Sequence, residues 1–371
     1  MENKNKVNKV LLFLPTLLGG GAEETFTHLA KYLASKNLKV YLVVGTNKSS
    51  NLYSFDENEN ISLIELNARR LIFSFFKLYS TVKKVQPNTL LSTLWYANIL
   101  IYPISKLLKI PLIVREAGSD YREDNTIKSG IISKIIKYVY SRSNFTISIS
   151  ESLKDDLVQN VGIPNDKIFT IYNPVESYIK REELSKIDFK DYFQDSSKNT
   201  RFIITACRLD KIKGLEYLIK SFTFLRDIDI KLLIIGDGKE RENLERMVDT
   251  LDLKDSVTLL NWQNNIYDFI YSCDFYISTS INEGLGNAYL ASQLLNKKSL
   301  CSNIPASLEI NSIFNKGDSF DIKDIDIAKK IRNIYQENKA NSEIEDDMIN
   351  KFIFETCFKN YLNLINKSIG S

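Results

Sequence analysis

The chain has 371 residues, more than the roughly 250–300 at which a single hydrophobic core stops growing, so two domains are expected. Hydrophobic residues make up 44%, as in ordinary globular proteins. Because 49 basic residues stand against 46 acidic ones, the net charge is only +3, and nucleic acid is not predicted as a partner. Four scattered cysteines and a single histidine, His28, argue against a zinc site and favour a reducing, cytoplasmic location.

The amino-terminal half begins with an apolar strand over 9–14, followed by Gly19-Gly20-Gly21, a helix over 23–36 and a strand over 39–44. Strand, glycine turn, helix and strand predict a right-handed βαβ unit with an anion site at its turn. Neither G-x-G-x-x-G nor G-K-[ST] occurs there, so dinucleotide and P-loop sites are not predicted. The short first apolar run is better explained as a buried strand than as a signal peptide. No apolar window in the chain is long enough to span a membrane.

Further strands and helices alternate up to the middle of the chain. One predicted strand, over 112–114, ends in Arg115-Glu116-Ala117-Gly118-Ser119-Asp120. Ligands of open α/β sheets lie at such carboxyl ends, so Glu116 is a candidate for orienting a substrate. His28 lies in the middle of a predicted helix and is interpreted as a partly buried structural residue. The other strands are predicted over 61–66, 89–94, 145–150 and 168–172, with helices over 97–108 and 151–159.

Two helices of this half, predicted over 69–85 and 128–142, combine basic with apolar or aromatic residues. In the second, Lys128, Lys134, Lys137 and Arg142 form a basic face opposite an apolar one. Such helices can lie on an anionic membrane surface. The alternative is that lysine and arginine solvate the outer faces of packed helices.

A charged stretch over 176–199 without a long period is predicted to be the linker between domains 1–175 and 200–342. After a strand over 201–206, Arg208 and Lys213 stand at a strand end and a helix start. Two cations there can hold a diphosphate. The alternative is a solvated basic turn.

The same strand-and-helix alternation continues, with predicted strands at 231–235, 257–260, 274–278 and 299–302. The run I-N-E-G-L-G-N-A over 281–288 places Glu283 and two glycines on a strand-to-helix turn. Glycines let a ligand approach the unpaired N–H groups of a helix start, and a carboxylate accepts hydrogen bonds from sugar hydroxyls. The turn therefore predicts a site for the sugar-phosphate part of an activated sugar, against the alternative of an ordinary capped turn. Alternating strands and helices in both halves predict two doubly wound α/β domains.

Five motifs in order give the chain a specific resemblance to retaining glycosyltransferases of the GT-B fold, glycosyltransferase family 4. They are Gly20-Gly21-Ala22-Glu23, Ile171-Tyr172-Asn173-Pro174-Val175, Arg208-Leu209-Asp210-Lys211-Ile212-Lys213-Gly214, Ile235-Gly236-Asp237-Gly238 and Ser280-Ile281-Asn282-Glu283-Gly284. The resemblance implies two Rossmann-like domains facing across a cleft, with a carboxyl-terminal helix over about 343–371 packing back on the first domain. It also implies an enzyme that moves a sugar from a nucleotide-sugar donor to a glycan or polyprenyl-linked acceptor in bacterial capsule or O-antigen synthesis.

The resemblance further implies a role for each matching residue. Arg208 and Lys213 would bind the donor diphosphate and Glu283 the donor sugar, helped by the backbone of Gly284, Leu285, Gly286 and Asn287. Gly20 and Gly21 would approach the donor from the other domain, while Gly236, Gly238 and the backbone near Trp262 would line the base site. No metal or other cofactor is expected. The enzyme would be cytoplasmic, with peripheral contact to the inner face of the membrane through 69–85 and 128–142.

Two departures from the family pattern accompany the resemblance. The family's second glutamate, which usually holds the ribose, is replaced by Ala291, and the histidine found near the transferred sugar in many relatives is missing from 115–119. A non-catalytic relative that binds nucleotide sugars, or an epimerase or phosphorylase on the same fold, therefore stands as an alternative. The mechanism that fits the enzyme is front-face transfer, with Arg208 and Lys213 stabilising the departing diphosphate.

Overall fold

The computed structural model describes residues 8–18, 20–46, 60–118, 127–193, 196–337 and 345–370. Gly19, Ser119 and Asp120, which belong to predicted motifs, lie outside the described residues, and so does the side chain of Lys128. The chain divides into two compact units: residues 1–174 with 352–371, called unit 1, and residues 175–351, called unit 2. Strands and helices are numbered along the whole chain.

Unit 1 is built on a seven-stranded parallel sheet in the order β3-β2-β1-β4-β5-β6-β7. Its strands are β1 Lys9–Leu14, β2 Lys39–Thr46, β3 Ile61–Ala68, β4 Thr89–Thr93, β5 Leu112–Glu116, β6 Phe145–Ser148 and β7 Ile168–Thr170. Its helices are α1 Gly21–Ser35, α2 Phe75–Val85 after a 3-10 turn at Leu71–Ser74, α3 Trp95–Leu108, α4 Ile127–Arg142, α5 Glu151–Asp156 and α14 Phe354–Ile369.

The helices of unit 1 cover both faces of its sheet, as right-handed crossovers require. Helix α1 contacts α14, whereas α2 contacts α3 and α3 contacts α4. The carboxyl-terminal helix joins this core because it buries an apolar stripe there, formed by Cys357, Phe358, Tyr361, Leu364 and Ile365. His28 is partly buried on α1, where its ring lies 4.8 Å from the ring of Phe354.

Unit 2 has a six-stranded parallel sheet in the order β10-β9-β8-β11-β12-β13. Its strands are β8 Arg201–Ala206, β9 Ile230–Ile235, β10 Val257–Leu260, β11 Phe275–Ser278, β12 Lys298–Ser302 and β13 Asp318–Phe320. Its helices are α6 Val175–Tyr178, α7 Leu215–Ser221, α8 Arg241–Thr250, α9 Ile266–Ser272, α10 Asn287–Leu294, α11 Pro305–Phe314, α12 Asp324–Gln336 and α13 Asp346–Ile349. The predicted fold class, two doubly wound parallel α/β domains, is confirmed.

The stretch predicted as a linker, 176–199, packs on unit 2. Phe189 and Phe193 are buried, and both rings lie against Phe202 at centroid distances of 5.2 and 5.9 Å. These contacts fix the approach to β8.

No described helix is long and apolar enough to cross a membrane.

Candidate active site

In each sheet the strand order reverses at one point, and the carboxyl edge beside that point is where open α/β sheets bind ligands. In unit 2 the reversal lies between β8 and β11. The loop after β8 carries Arg208 and Lys213, and the loop after β11 carries Glu283. Unit 2 therefore brings these predicted residues to one edge of one sheet.

Close backbone contacts tie these two loops together. The Ile281 N–H donates to the Ile212 carbonyl at 2.7 Å, and the Thr279 hydroxyl donates to the Lys213 carbonyl at 2.8 Å. Gly214 has a left-handed φ of 61°, and a Cβ there would lie 2.3 Å from the Thr279 carbonyl oxygen. Only glycine permits this approach without strain.

Lys213 and Glu283 form an ion pair at this edge. The Lys213 Nζ lies 2.6 Å from Glu283 Oε1, which also accepts a hydrogen bond from the Ser280 hydroxyl at 2.8 Å. Both side chains are partly exposed, so a ligand can reach them. The ammonium can face an anionic diphosphate, and the carboxylate can accept hydrogen bonds from sugar hydroxyls. Ser280 belongs to the fifth motif, but no role was predicted for it, although its place three residues before Glu283 was a usable signal.

Arg208 lies on the same loop but is much more exposed, with 75% of its side chain accessible. Its guanidinium is 3.9 Å from a carboxylate oxygen of Asp210, a loose ion pair. The other oxygen of Asp210 is 2.9 Å from the Nζ of Lys239. A weakly paired, exposed arginine can turn toward an arriving anion at little cost.

The glycine turn after Glu283 leads directly into α10. Gly286 precedes the helix with a left-handed φ of 81°. Because α10 follows the loop at the carboxyl end of β11, its first N–H groups and the positive end of its dipole lie at this edge. Gly284 and Leu285 are buried, whereas Gly286 and Asn287 are partly exposed. Ala291 is fully buried within α10.

Gly236 and Gly238 have a packing reason that the sequence did not reveal. A Cβ would lie 1.9 Å from the Cys207 carbonyl oxygen at Gly236, and 2.4 Å from that of Leu209 at Gly238. Both glycines let the loop after β9 lie directly against the loop after β8. The lack of a side chain at both glycines therefore allows these two loops to pack together at the carboxyl edge.

The predicted base site around Trp262 has a second residue that sequence reasoning missed. Arg241, at the start of α8, donates to the carbonyls of Gly236 at 2.6 Å and Leu260 at 3.0 Å, so it joins the ends of β9 and β10. Trp262 follows β10 with 61% of its surface exposed. An exposed indole at a strand end can stack on a nucleotide base.

In unit 1 the strand order reverses between β1 and β4, and the glycine turn after β1 lies beside that point. Here the protein's own carboxylate occupies the turn. Glu23 Oε2 accepts a hydrogen bond from the Gly20 N–H, and Glu23 Oε1 accepts one from the Thr16 hydroxyl. Gly21 begins α1. Glu23 therefore fills the anion site that was predicted at Gly20. The prediction had assumed that the glycine turn was open to a ligand.

Glu116 lies at the end of β5, as expected, but its carboxylate is buried. It accepts hydrogen bonds from the Tyr140 hydroxyl and from the Ala117 N–H at 3.0 Å. The Tyr140 hydroxyl also accepts one from the Asn98 amide at 2.8 Å. These contacts make Glu116 a support for the start of the 117–118 loop.

Arg115, the residue before Glu116, is fully buried and was not predicted to matter. Its guanidinium donates to the Thr93 hydroxyl at 2.9 Å and to the Asn173 side-chain oxygen at 2.6 Å, and its Nε has no hydrogen-bond partner among the described residues. Asn173 belongs to one of the predicted motifs. Arg115 thus links the ends of β4 and β5 to the segment after β7.

The described residues contain no group of three histidine, cysteine, aspartate or glutamate side chains able to hold a metal ion. Burial, and then the charge of Lys31, lower the pKa of His28 below its usual value. The ring packs on Phe354, in agreement with a structural role.

Comparison with known proteins supports the same family for both halves of the chain. The family model "Glycosyltransferase Family 4" matches residues 19–177, and "Glycosyl transferases group 1" matches residues 188–351. A similar curated relative is N-acetylgalactosamine-N,N'-diacetylbacillosaminyl-diphospho-undecaprenol 4-alpha-N-acetylgalactosaminyltransferase of Campylobacter jejuni. It is 26% identical over 313 residues, which span 80% of this chain and 81% of the relative.

Another relative is the O-antigen chain mannosyltransferase RfbU of Salmonella typhimurium, 24% identical over 54% of this chain and 53% of its own. Among solved structures, Alr3699/HepE of Anabaena in complex with UDP-glucose has a TM-score of 0.70 at 15% identity, covering 98% of both chains. The glycosyltransferase WaaG has a TM-score of 0.70 at 12% identity, covering 97% of this chain and 98% of its own. The chain is therefore a glycosyltransferase and belongs to the GT-B glycosyltransferases of family 4.

Proposed function

We propose that the enzyme transfers a sugar from a nucleotide-sugar donor to a hydroxyl of a glycan or lipid-linked acceptor, with retention of anomeric configuration. The observation that carries this proposal is the Lys213–Glu283 pair at the carboxyl edge of unit 2. It places a cation and a carboxylate, both reachable by solvent, beside the reversal of strand order where ligands bind. A sugar diphosphate needs this combination.

In the proposed reaction, the bond between the anomeric carbon and the diphosphate oxygen breaks. The acceptor oxygen bonds to that carbon on the same face, and its proton passes to the departing diphosphate. Lys213 and Arg208 stabilise the negative charge that develops on the leaving group, together with the N-terminus of α10. Glu283 holds sugar hydroxyls through its carboxylate, and the backbone of 284–287 lies beside it. The reaction uses no metal in this account.

The donor is a nucleotide sugar of the kind bound by structural neighbours. Alr3699/HepE was crystallised with UDP-glucose, and starch synthase IV of Arabidopsis thaliana with ADP and acarbose. We place the base near Trp262, with Arg241 fixing the strand ends beneath it. With Ala291 buried, the ribose is held by groups other than a carboxylate at that position.

For Gly20 and Gly21 of unit 1 we keep the predicted role in donor binding, through backbone that Glu23 holds in place. Glu116 acts as a positioning residue, because its buried carboxylate fixes the 117–118 loop. We therefore propose that Glu116 orients a substrate indirectly, through this loop.

The names of two relatives support the proposed acceptor class. The Campylobacter jejuni relative is named for an undecaprenol diphosphate acceptor, and the Salmonella typhimurium relative for the O-antigen chain. We accordingly place this enzyme in bacterial capsule or O-antigen synthesis. A polyprenyl-linked acceptor would bring it to the inner face of the cytoplasmic membrane, where the helices over 69–85 and 128–142 would make peripheral contact.

The test is a thermal-shift screen of the full chain with UDP-, GDP- and ADP-sugars, each with and without EDTA. The correct donor raises the melting temperature, because a ligand that binds the native state stabilises it by mass action. EDTA should leave that shift unchanged. NMR of the anomeric proton in the product then checks retention. An inverted product, or a shift that EDTA abolishes, would contradict the corresponding part of the proposal.

A non-catalytic protein that binds nucleotide sugars is the second candidate, and Ala291 in place of the expected ribose-binding glutamate favours it. It predicts the same thermal shift as the enzyme. It also predicts that no nucleoside diphosphate is released when the stabilising donor is incubated with the chain and membrane extract. Release of nucleoside diphosphate that Lys213→Ala abolishes would eliminate this candidate.

A further inference from the structure

One layer of unit 1, formed by α2, α3 and α4, contains no acidic residue in its helices. No aspartate or glutamate occurs between Glu65 and Glu116, or between Asp124 and Glu151, although the whole chain has 46. The helices contact one another in order, α2 with α3 and α3 with α4, so their outer surfaces are neighbours. This layer is therefore locally cationic in a chain whose net charge is only +3.

Several described cations of this layer are exposed to solvent. Exposed examples on or directly beside the helices are Arg69, Arg70, Lys83, Lys84, Lys134 and Lys137. Burial first, and then the charges of Lys167 and Arg142, lower the pKa of Lys106. Neighbouring positive charges thus act on one another here, as expected where carboxylates are missing.

The same layer exposes large apolar side chains. In the turn leading into α2 and its first residues, Ile72, Phe73 and Phe76 have 64%, 67% and 81% of their surface exposed. Contiguous exposed groups of this size on a folded domain mark a binding surface more often than isolated ones do.

Helix α4 shows the same mixture and corrects its predicted faces. Ile136 and Val139 are buried as the predicted apolar face requires, but Ile131 and Ile135, which were predicted on that same face, are exposed. Tyr138 is also exposed, and the Arg142 guanidinium lies 4.1 Å from the centroid of its ring. The outer side of α4 is therefore apolar and basic together.

We infer that the outer surface of α2, α3 and α4, called the α2–α4 face, docks on a bilayer that contains anionic lipids. Headgroup phosphates meet the cations, while Ile72, Phe73 and Phe76 enter the boundary between headgroups and acyl chains. A nucleic acid would satisfy the cations but would leave the exposed Phe73 and Phe76 side chains in water. This inference refines the membrane contact of the proposed function, and its biological setting rests on that function. It involves no catalytic residue.

The test is co-sedimentation of the full chain with vesicles, without any donor or acceptor, so that its result is independent of the reaction. The chain should sediment with phosphatidylcholine vesicles that contain phosphatidylglycerol, and not with pure phosphatidylcholine. The double substitution Phe73→Ser/Phe76→Ser should lower the partition coefficient about a hundredfold, since each exposed benzyl group gains roughly 1.5 kcal/mol or more on burial. Phe224→Ser, at an exposed phenylalanine of unit 2, is the matched control and should leave the partition coefficient unchanged.

A second measurement keeps the inference testable without removing apolar surface. Phe76→Trp should be quenched by brominated acyl chains in the anionic vesicles, beyond the quenching of the native Trp95 and Trp262. Phe224→Trp should show no additional quenching. Lys134→Gln/Lys137→Gln should weaken binding roughly thirtyfold, because each cation near an anionic surface contributes about 1 kcal/mol.

Two outcomes would overturn the inference. One is equal vesicle binding by Phe73→Ser/Phe76→Ser and Phe224→Ser. The other is failure to bind anionic vesicles while a DNA duplex binds through the same lysines, which would make the α2–α4 face a nucleic-acid surface.

Discussion

The two units share one architecture but use the charges at their carboxyl edges differently. In unit 2, Lys213 and Glu283 pair at a partly exposed position, and Arg208 extends into solvent. In unit 1, Arg115 and Glu116 are buried at the end of β5 and make hydrogen bonds within the protein. Charged residues at a strand end therefore do not by themselves identify a ligand site. Their exposure decides whether they can meet a ligand or only support the loops that do.

The largest expected effect tests the exposed pair of unit 2. Lys213→Ala should lower kcat/KM about a hundredfold to a thousandfold, as when one preorganised donor to transition-state charge is removed. Stability should change little, because the pair is partly exposed. Steady-state kinetics with the donor found by thermal shift provides the measurement. Lys254→Ala, at an exposed lysine of the same unit, is the control, and equal losses in both variants would show that Lys213 has no special role.

The glycine contacts of unit 2 offer the next largest effect. Gly236→Ala should lower the free energy of unfolding by about 2–4 kcal/mol, because its Cβ would lie 1.9 Å from the Cys207 carbonyl oxygen. Urea denaturation measures this change. Gly118→Ala in unit 1 is the matched control, since a Cβ there meets no atom within 4 Å, and it should change stability little. A neutral Gly236→Ala would show that the two loops can separate freely.

The buried arginine of unit 1 should affect stability more than donor binding. Arg115→Met removes two hydrogen bonds and leaves the buried oxygens of Thr93 and Asn173 without that donor. We expect a loss of about 2–3 kcal/mol in urea denaturation, with the KM for the donor unchanged. A raised KM with unchanged stability would show that Arg115 contacts a ligand. The charged residues of the two units would then not differ in role as described above.

The smallest expected effect concerns His28. Its pKa is lowered in the folded chain, so the unfolded chain binds more protons as the pH falls through the ordinary histidine value. His28 therefore does not affect the pH dependence of the free energy of unfolding above about pH 7, and it lowers that free energy as the pH falls toward 5. His28→Gln should flatten that part of the stability profile. Because this is the chain's single histidine, its imidazole resonances can be titrated by NMR without assignment, and a midpoint above 6.5 would contradict the structure.

The sequence predicted much of the fold because apolar runs and glycine turns alternate clearly. Five motifs also predicted which loops carry Arg208, Lys213 and Glu283. The burial of Glu116 could not be predicted, since it depends on Tyr140, which approaches from a helix 24 residues later. The occupied glycine turn at Gly20 had a local signal, because an acid three residues after the N-cap of a helix often binds back to the N-cap N–H. Helix α12 was missed although Ile327, Ile331 and Ile334 follow a helical period.

The proposed function requires that the donor binds at the carboxyl edge of unit 2. Hydrogen–deuterium exchange of the full chain, with and without the nucleotide that gives the largest thermal shift, locates the binding site. We predict slower exchange in residues 207–214 and 279–287 on nucleotide binding, and loss of that protection in Lys213→Ala. Protection confined to unit 1 segments such as 15–21 and 112–118, with 207–214 and 279–287 unchanged, would exclude donor binding at the carboxyl edge of unit 2.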